Sequence, residues 1–346
     1  MFKLLSKDLV ESSKIRDTFP EEKDYEIGFS DHYNKYLKDK VERFEENRIS
    51  TLKEARKRLI IWLFYIFFTS FIVYFLYKNF LELNRDIVAF TTLILVSIGV
   101  AAPFFWIFSP IWSYEENIKK EIFPNVLNFF GDFKYNFETK KSVKEYYATE
   151  LIPKHDTEIA EDHIVGTYKE IKIDLFETQL SRKVKYKDSN GNTSTKLKTV
   201  FDGLILELSM NKSFSGKTVV KKDSGTVGNW FIKKSTSLKK VKLEDPNFEK
   251  MFEVYSDDQV EARYLLTVTF IERLKELVEN FGGKSIQCCF YNNKLLMMIP
   301  IEKDLFETGS IYEAEDFIDD SKSLLKELSL IFNIIDTLKL NMKINL

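Results

Sequence analysis

Two uncharged apolar runs, separated by nine residues, restrict this chain more than any other feature. Residues 59–77 (LIIWLFYIFFTSFIVYFLY) and residues 87–112 hold no Asp, Glu, Lys, Arg or His. A hydrocarbon core of about 30 Å needs roughly 20 apolar residues of helix, so each run is long enough to span it. A helix that is apolar all round has no face for water, which fits lipid better than the core of a soluble domain. The spacing therefore predicts a two-span hairpin with its turn at 78–86. Trp62 near one end of the first run, with Tyr74 and Tyr77 near the other, matches interfacial aromatic belts. Ser97, Gly99, Ala101 and Ala102 let a neighbouring helix approach closely, Pro103 should bend the second helix, and Pro110 should mark its exit.

Orientation follows from lysine and arginine. Lys40, Arg43, Arg48, Lys53, Arg56, Lys57 and Arg58 precede the first run, whereas the turn has only Lys78 and Arg85, offset by Glu82 and Asp86. That bias places the N-terminus in the cytoplasm, and an even number of spans returns the C-terminus there. With no charged group inside either run there is no visible ion or proton path, which argues against a transporter. The N-terminus lacks the continuous apolar stretch of a signal peptide.

About 230 residues follow the second run, enough for one core or two small ones. Two cysteines, the adjacent Cys288 and Cys289, make no disulfide framework and agree with a reducing compartment. Charge is unevenly spread. Residues 180–242 hold fifteen Lys or Arg against four Asp or Glu, and residues 243–346 hold eleven against twenty, which hints at a surface contact for the basic part.

Residues 1–30 show no periodicity and are expected to be poorly defined. Leu37, Val41, Phe44, Arg48, Leu52, Ala55 and Leu59 then recur every three or four residues, one stripe on a long helix running into the first span. Tyr114, Ile118, Ile122 and Val126 repeat the pattern after the second. These stripes predict an antiparallel helical stalk within a helical hairpin over 31–130; self-association through a coiled coil is the competing reading. From 142 to 346 the pattern predicts a cytoplasmic α+β domain. A short helix opens at Ser142, strands begin near Asp162, and Asn190-Gly191 turns one hairpin. A long helix capped by Ser256-Asp257-Asp258, with Val260, Tyr264 and Val268 on its buried face, runs to Gly282-Gly283. A hairpin follows, turning at Asn292-Asn293, and a last helix covers 314–338. The expected fold class is α+β, an antiparallel sheet with helices packed on it.

Candidate chemistry is sparse. Gly216-Lys217-Thr218 resembles the end of a phosphate loop, but Asn211 stands where a glycine is required and a strand pattern follows. His32, His155 and His163 have no metal-ligand spacing, so neither a metal nor any other cofactor is expected; a carboxylate next to His163 in the chain, Glu161 or Asp162, could orient it as a base. Alternation along a strand puts Cys288 and Cys289 on opposite faces, one buried and one half-exposed. The densest polar constellation is Glu244, Asp245, Asp257, Asp258 and Glu261 with Arg263, where paired carboxylates could hold a cation or act as acid and base; solvated, helix-capping charge is the plainer reading. Lys183, Lys185 and Lys187 alternate along one strand, Lys196 and Lys198 return beside them, and Lys233, Lys234, Lys239 and Lys240 follow. Held near an anionic leaflet, each would contribute about 1 kcal/mol. Nucleic acid is a weaker partner, because no aromatics interleave these lysines for stacking.

The stretch KKVKLEDPNFEKMFEVYSDDQVEARYLLT, with FDGLILELSMNKSFSGKTVV at 201–220 and the terminal LKLNMKI, resembles the bacterial membrane family catalogued as domain of unknown function 3137. The resemblance implies a two-span protein with a cytoplasmic α+β domain and carries no established activity. It directs attention to Pro246, Phe248, Tyr255, Gln259, Ala262 and Tyr264 beside the acidic residues. The sequence thus points to an anchored, non-enzymatic binding or scaffold module that meets a protein partner or the lipid surface, with a membrane-bound enzyme using residues 244–263 as the rival.

Overall fold

Side-chain donors on one long helix meet the carbonyls that two prolines leave unpaired on the next, and the helical part of the chain is arranged around those contacts. The computed structural model describes residues 4, 18–80, 85–187, 193–222, 238–243, 245–281, 286–301, 305–307, 311–312 and 317–340, without the side chains at 76–77, 79–80, 85–89, 91–92, 95–98 and 100–102. The chain forms two units, Met1–Asn125 with Thr308–Lys322, and Val126–Glu307 with Ser323–Leu346.

The first unit is helical: α1 (Phe29–Tyr36), α2 (Lys38–Phe80) and α3 (Arg85–Glu121). Gly28 opens α1 at φ 87°, a left-handed conformation in which a residue without Cβ is unstrained. Residues 18–30 are better ordered than their lack of periodicity implied, because Phe19 packs its ring edge-on against Phe29 at 4.8 Å and both are buried. The stalk helix is also not continuous; it breaks at Leu37, between α1 and α2. Its stripe is buried throughout, Leu37 at the break, Val41, Phe44, Leu52, Ala55 and Leu59 on α2, with Ile107, Ile111, Tyr114 and Ile118 on α3. Phe44 and Tyr114 meet edge to face at 6.0 Å, and the Tyr114 hydroxyl donates to the Phe44 carbonyl. Arg48 keeps its place in this apolar stripe by pairing with Glu45 at 2.6 Å and donating to the Ile311 carbonyl, so the buried charge has partners.

Pro110 lies inside α3, as does Pro103, and does not end it. A helix proline withholds the N–H that would reach the carbonyl four residues back. For Pro103 that carbonyl is Gly99, and it accepts from the Trp62 indole at 2.8 Å. For Pro110 it is Trp106, and it accepts from Arg58 Nη1 at 2.7 Å. Trp62 and Arg58 are one turn apart on α2, and their acceptors are two turns apart on α3, so the helices are tied antiparallel at two levels. Trp62 thus does more than mark an interface. A Cβ on Gly99 would stand 3.0 Å from the Tyr65 ring, so this glycine admits the neighbouring helix. The segment Lys38–Phe75 of α2 is long and apolar enough to cross a membrane: one 18-residue window has mean hydropathy 1.9 and is only 6% buried. Phe64, Phe67, Phe68 and Phe71 all point outward from it.

Among the described residues the second unit is built on a nine-stranded antiparallel sheet in the order β1-β2-β3-β4-β9-β8-β5-β7-β6, with α4 (Phe123–Leu127) ahead of it in the chain. Its strands are β1 (Lys134–Asn136), β2 (Thr157–Tyr168), β3 (Ile171–Lys187), β4 (Thr193–Ser209), β5 (Thr218–Lys222), β6 (Lys239–Val241), β7 (Phe252–Ser256), β8 (Gln287–Tyr291) and β9 (Lys294–Pro300). β1, β6 and β7 are short and lack an alternating signal, which is why the sequence did not show them. Asn292 and Asn293, at φ 48° and 58°, make the two-residue left-handed turn between β8 and β9. Gly203 (φ 151°) holds the end of the β4–β9 pairing; a Cβ there would lie 2.2 Å from the Ile299 carbonyl oxygen. The turn at 188–192 and Gly282-Gly283 lie outside the described residues.

Both faces of the sheet are covered. On one, Phe176, Ile205, Met298, Cys289, Val219 and Tyr255 pack with Val143, Tyr146 and Leu151. Those last residues belong to or follow a 3-10 helix, Val143–Thr149, that takes the place of the expected α-helix; Ser142 still caps it, accepting from Lys144 N. On the other face, Phe290 meets Phe270 of α7 (Val268–Asn280), and Tyr168 stacks at 4.5 Å on Phe332 of α8 (Ile318–Leu338). Two-sided cover buries both Cys288 and Cys289 completely, correcting the half-exposed thiol expected of a one-sided sheet. The long helix over 256–281 is also corrected. Phe252–Ser256 is a strand, Asp258 caps a short α6 (Gln259–Leu265), and Thr267 caps α7 anew. Val260 and Val268, placed on the buried face by spacing, are 78% and 62% exposed, because the break at Leu266 resets the helical phase. A further helix, α5 (Pro246–Met251), is capped by Asp245.

Replacing Trp62 by Phe should destabilise the protein by about 1 kcal/mol, the usual net size of one hydrogen bond. In a Pro103→Ala background the Gly99 carbonyl regains its own helical donor, so the same change should then cost little. A thermal-unfolding double-mutant cycle measures that coupling.

Candidate functional site

Backbone amides engage much of the acidic series. The turn 215–217 points its N–H groups at α6: Ser215 N donates to Glu261 Oε1 at 2.9 Å, Gly216 N to Glu261 Oε2 at 2.5 Å, and Lys217 N to Asp257 Oδ1 at 2.7 Å. Successive amides aimed at one point form an anion-binding nest. Here the chain's own carboxylates fill it. A Cβ on Gly216 would come within 2.4 Å of Glu261 Oε2 and 2.8 Å of Asp257 Oδ1, so glycine is what allows the approach. The phosphate-loop resemblance of Gly216-Lys217-Thr218 thus reflects real anion-binding geometry whose anion is internal. Asp258 accepts from Val260 N and Glu261 N as the α6 cap. Thr218 and Ser256 hydroxyls share a hydrogen bond under this corner at 2.9 Å.

The remaining members lie apart. Asp245 accepts from Asn247 N and Phe248 N and pairs with Lys275, whose ammonium holds its carboxyl below the usual range. Buried Glu253 accepts from Lys240 and from the Tyr255 hydroxyl. Arg263, grouped with these carboxylates by sequence, donates instead to the carbonyls of Gln259 (2.8 Å) and Lys242 (3.5 Å), and makes no ion pair among the described residues. It turns away from Asp257 and Glu261 because their oxygens already face the 215–217 amides. Glu244 lies outside the described residues. A cleft of about 580 Å³ does bring Arg263 and Asp245 together, with Lys242 at its rim and Leu243, Pro246, Leu266 and Ile271 as apolar wall.

The basic series divides. Lys233 and Lys234 lie outside the described residues, and Lys239 and Lys240 belong to β6 at the far edge of the sheet. Lys183, Lys185 and Lys187 do share one face of β3. Register puts Lys196 opposite Val184 and Lys198 opposite Arg182, so those two lysines project from the other face and not beside the first three. Beyond Ser181 and Phe201 the β3–β4 pair has no third strand among the described residues, since β2 stops pairing at Thr157↔Ser181 and β9 at Gly203↔Pro300.

One polar group escaped the sequence reading. His163 Nε2 meets Asp174 Oδ1 at 3.0 Å, and Lys141 Nζ meets Asp174 Oδ2 at 2.8 Å; the carboxylate that orients this histidine comes from β3 and not from adjacent Asp162 or Glu161. Burial pushes the Asp174 carboxyl up, and the hydrogen bonds from His163 and Lys141 outweigh it, leaving the group below its usual range. Glu207, opposite Asp174 in register, pairs with Lys294 and accepts from the Tyr291 hydroxyl. Asp174 and Glu207 line a surface trough of about 410 Å³. Polar residues at Lys172 and Asp174 alternate with apolar Ile171, Ile173 and Leu175 on β3, which is the signal that could have shown a polar half-face. Among the described residues no group of three His, Cys, Asp or Glu has the arrangement to hold a metal ion.

A family described as "Protein of unknown function (DUF3137)" matches residues 199–340. No curated protein matches the chain. Among solved structures, the crystal structure of the mycobacterial trehalose monomycolate transport factor A, TtfA, is similar over 59% of this chain and 88% of that one, at 9% identity and a TM-score of 0.31, a likeness too slight to bear on function.

Gly216→Ala and Glu261→Ala should each destabilise the sheet unit by about 1–3 kcal/mol, and the double variant should cost scarcely more than either, since both break one clasp. Chemical denaturation of the three variants checks this. Asp174 has a depressed folded pKa, so its stabilisation is present above the ordinary carboxylate range and disappears as pH falls through the folded value. Asp174→Asn should therefore flatten the decline in unfolding midpoint between about pH 5 and pH 2. Burial drives the Cys289 thiol up to about 12 and the Cys288 thiol higher. Neither should react with a thiol reagent near neutral pH until the protein is denatured.

Proposed function

We infer that this chain, in which residues 199–340 form a domain of a family described only as of unknown function, is a membrane-anchored binding module. In this reading α2 and α3 both cross the bacterial inner membrane and both termini face the cytoplasm. The observation that carries it is the outer surface of α2, where a span-length window is almost wholly unburied and dominated by phenylalanine. Water would make that surface costly, whereas hydrocarbon makes it free of penalty. The proline carbonyls of α3 support its inclusion. In lipid every backbone acceptor needs an internal donor, and α2 supplies them to Gly99 and Trp106. Lysine and arginine bias before α2 supports the orientation.

Binding is favoured over catalysis by the employment of the carboxylates. Asp245, Asp257, Asp258 and Glu261 each accept from main-chain amides, which leaves them as clasps and caps rather than as an acid–base pair or a cation cage. The module then acts through surfaces, with the lipid face or a protein partner as its counterpart.

A topology reporter tests the anchor. Alkaline phosphatase should be inactive when fused at either terminus and active when inserted at 81–84. An active C-terminal fusion, or a full-length chain that stays monodisperse without detergent, would refute it.

A further inference from the structure

We propose that the free end of the β3–β4 ribbon, residues 182–187 and 193–199, is an arm that enters the headgroup layer of an anionic membrane and is contacted there on both faces. The proposal rests on the anchored reading above and names the counterpart of one surface.

Four observations carry it. The ribbon leaves the sheet: past Ser181 on β3 and past Phe201 on β4 the strands pair, among the described residues, only with each other, apart from the Lys183 N–H, which donates to Asp156 Oδ2 at 2.7 Å. Every described residue of the arm but Val184 is exposed. Its charge is of one sign, with Arg182, Lys183, Lys185, Lys187, Lys196 and Lys198 and no acid; Asp188, the next acid along the chain, lies outside the described residues. Finally, register gives the two faces matching endowments. One face has Lys183, Lys185 and Lys187 with Leu197 opposite Lys183. The other has Arg182, Lys196 and Lys198 with Tyr186, whose ring lies 5.9 Å from the Lys196 ammonium. Leu197 is 60% exposed and Tyr186 44%. Each face therefore offers three cations and one large side chain suited to a headgroup boundary.

A flat patch docking on a plane would concentrate cations on one face. A two-faced arm fits a medium that surrounds it, and a layer of phosphate headgroups does so while leaving water for the strand edges beyond Lys183, whose N–H and C=O groups exclude deeper entry. Tethering adds to the effect. The sheet unit begins at Val126, a few residues after α3 ends at Glu121, so the arm meets the bilayer at a high effective concentration.

Hydrogen exchange on the full-length protein in lipid nanodiscs provides the test. One set of discs is phosphatidylcholine alone, and the other is equal parts phosphatidylcholine and phosphatidylglycerol. The amides of 182–187 and 193–199 should exchange about tenfold more slowly in the anionic discs, and high salt should abolish the difference. Two charge-reversal variants keep the strand edges guarded: Lys183→Glu with Lys185→Glu and Lys187→Glu, and Arg182→Glu with Lys196→Glu and Lys198→Glu. Each alone should remove most of the protection, while exchange over 204–208 and 295–299 stays native and reports an intact sheet. Equal exchange in both discs overturns the proposal. Loss with one variant only overturns two-faced contact in favour of flat docking. Stronger protection by added transfer RNA or polyglutamate than by phosphatidylglycerol reassigns the arm to a polyanion and also overturns it. Failure of the anchor looks different, as a chain that never enters either disc.

Discussion

A carbonyl without a donor is tolerable in water and expensive away from it, and α3 has two of them by virtue of Pro103 and Pro110. The donors come from α2, Trp62 to Gly99 and Arg58 to Trp106. Once these bonds are made, the depth at which the two helices pass each other is fixed, and with it the meeting of the Phe44 and Tyr114 rings lower in the stalk. The apolar stripe below supplies burial without direction; polar bonds to unique acceptors supply the register.

The sheet unit answers the same requirement by different means. Its corner at 215–217 has three amides pointing one way, and the acceptors arrive from forty or so residues later in the chain, at Asp257 and Glu261. Gly216 is the only part of that turn whose identity is set by room rather than by charge. These acidic residues fasten the fold, because a carboxylate satisfies two amides at once where a carbonyl would often satisfy one.

Periodicity made the stalk stripe legible to the residue, including charged Arg48, because helix phase is a property of the chain alone. The β8–β9 turn was equally plain, since two adjacent asparagines tolerate the left-handed region. What escaped were features set by partners far away in sequence. The break at Leu266 moved Val260 and Val268 to the surface, and nothing local announces it except a threonine able to start a helix again. The faces of Lys196 and Lys198 depended on a register shift between Leu180 and Ser181, which one residue of slippage would have inverted. Arg263 was expected among carboxylates by proximity in sequence, but the geometry of α6 sends Asp257 and Glu261 one way and the guanidinium another. By contrast, the pairing of Trp62 with Gly99 and of Arg58 with Trp106 was open to arithmetic, four residues back from each proline.

The ribbon beyond Ser181 and Phe201 has one more implication. Two strands without neighbours are an invitation to any other strand, including the same ribbon on a second copy, and proteins held in one membrane meet often. Six like charges on so short a hairpin make such a meeting repulsive, so the cations keep identical arms from zipping together. Strand-to-strand fusion of this protein would begin where those charges are lost.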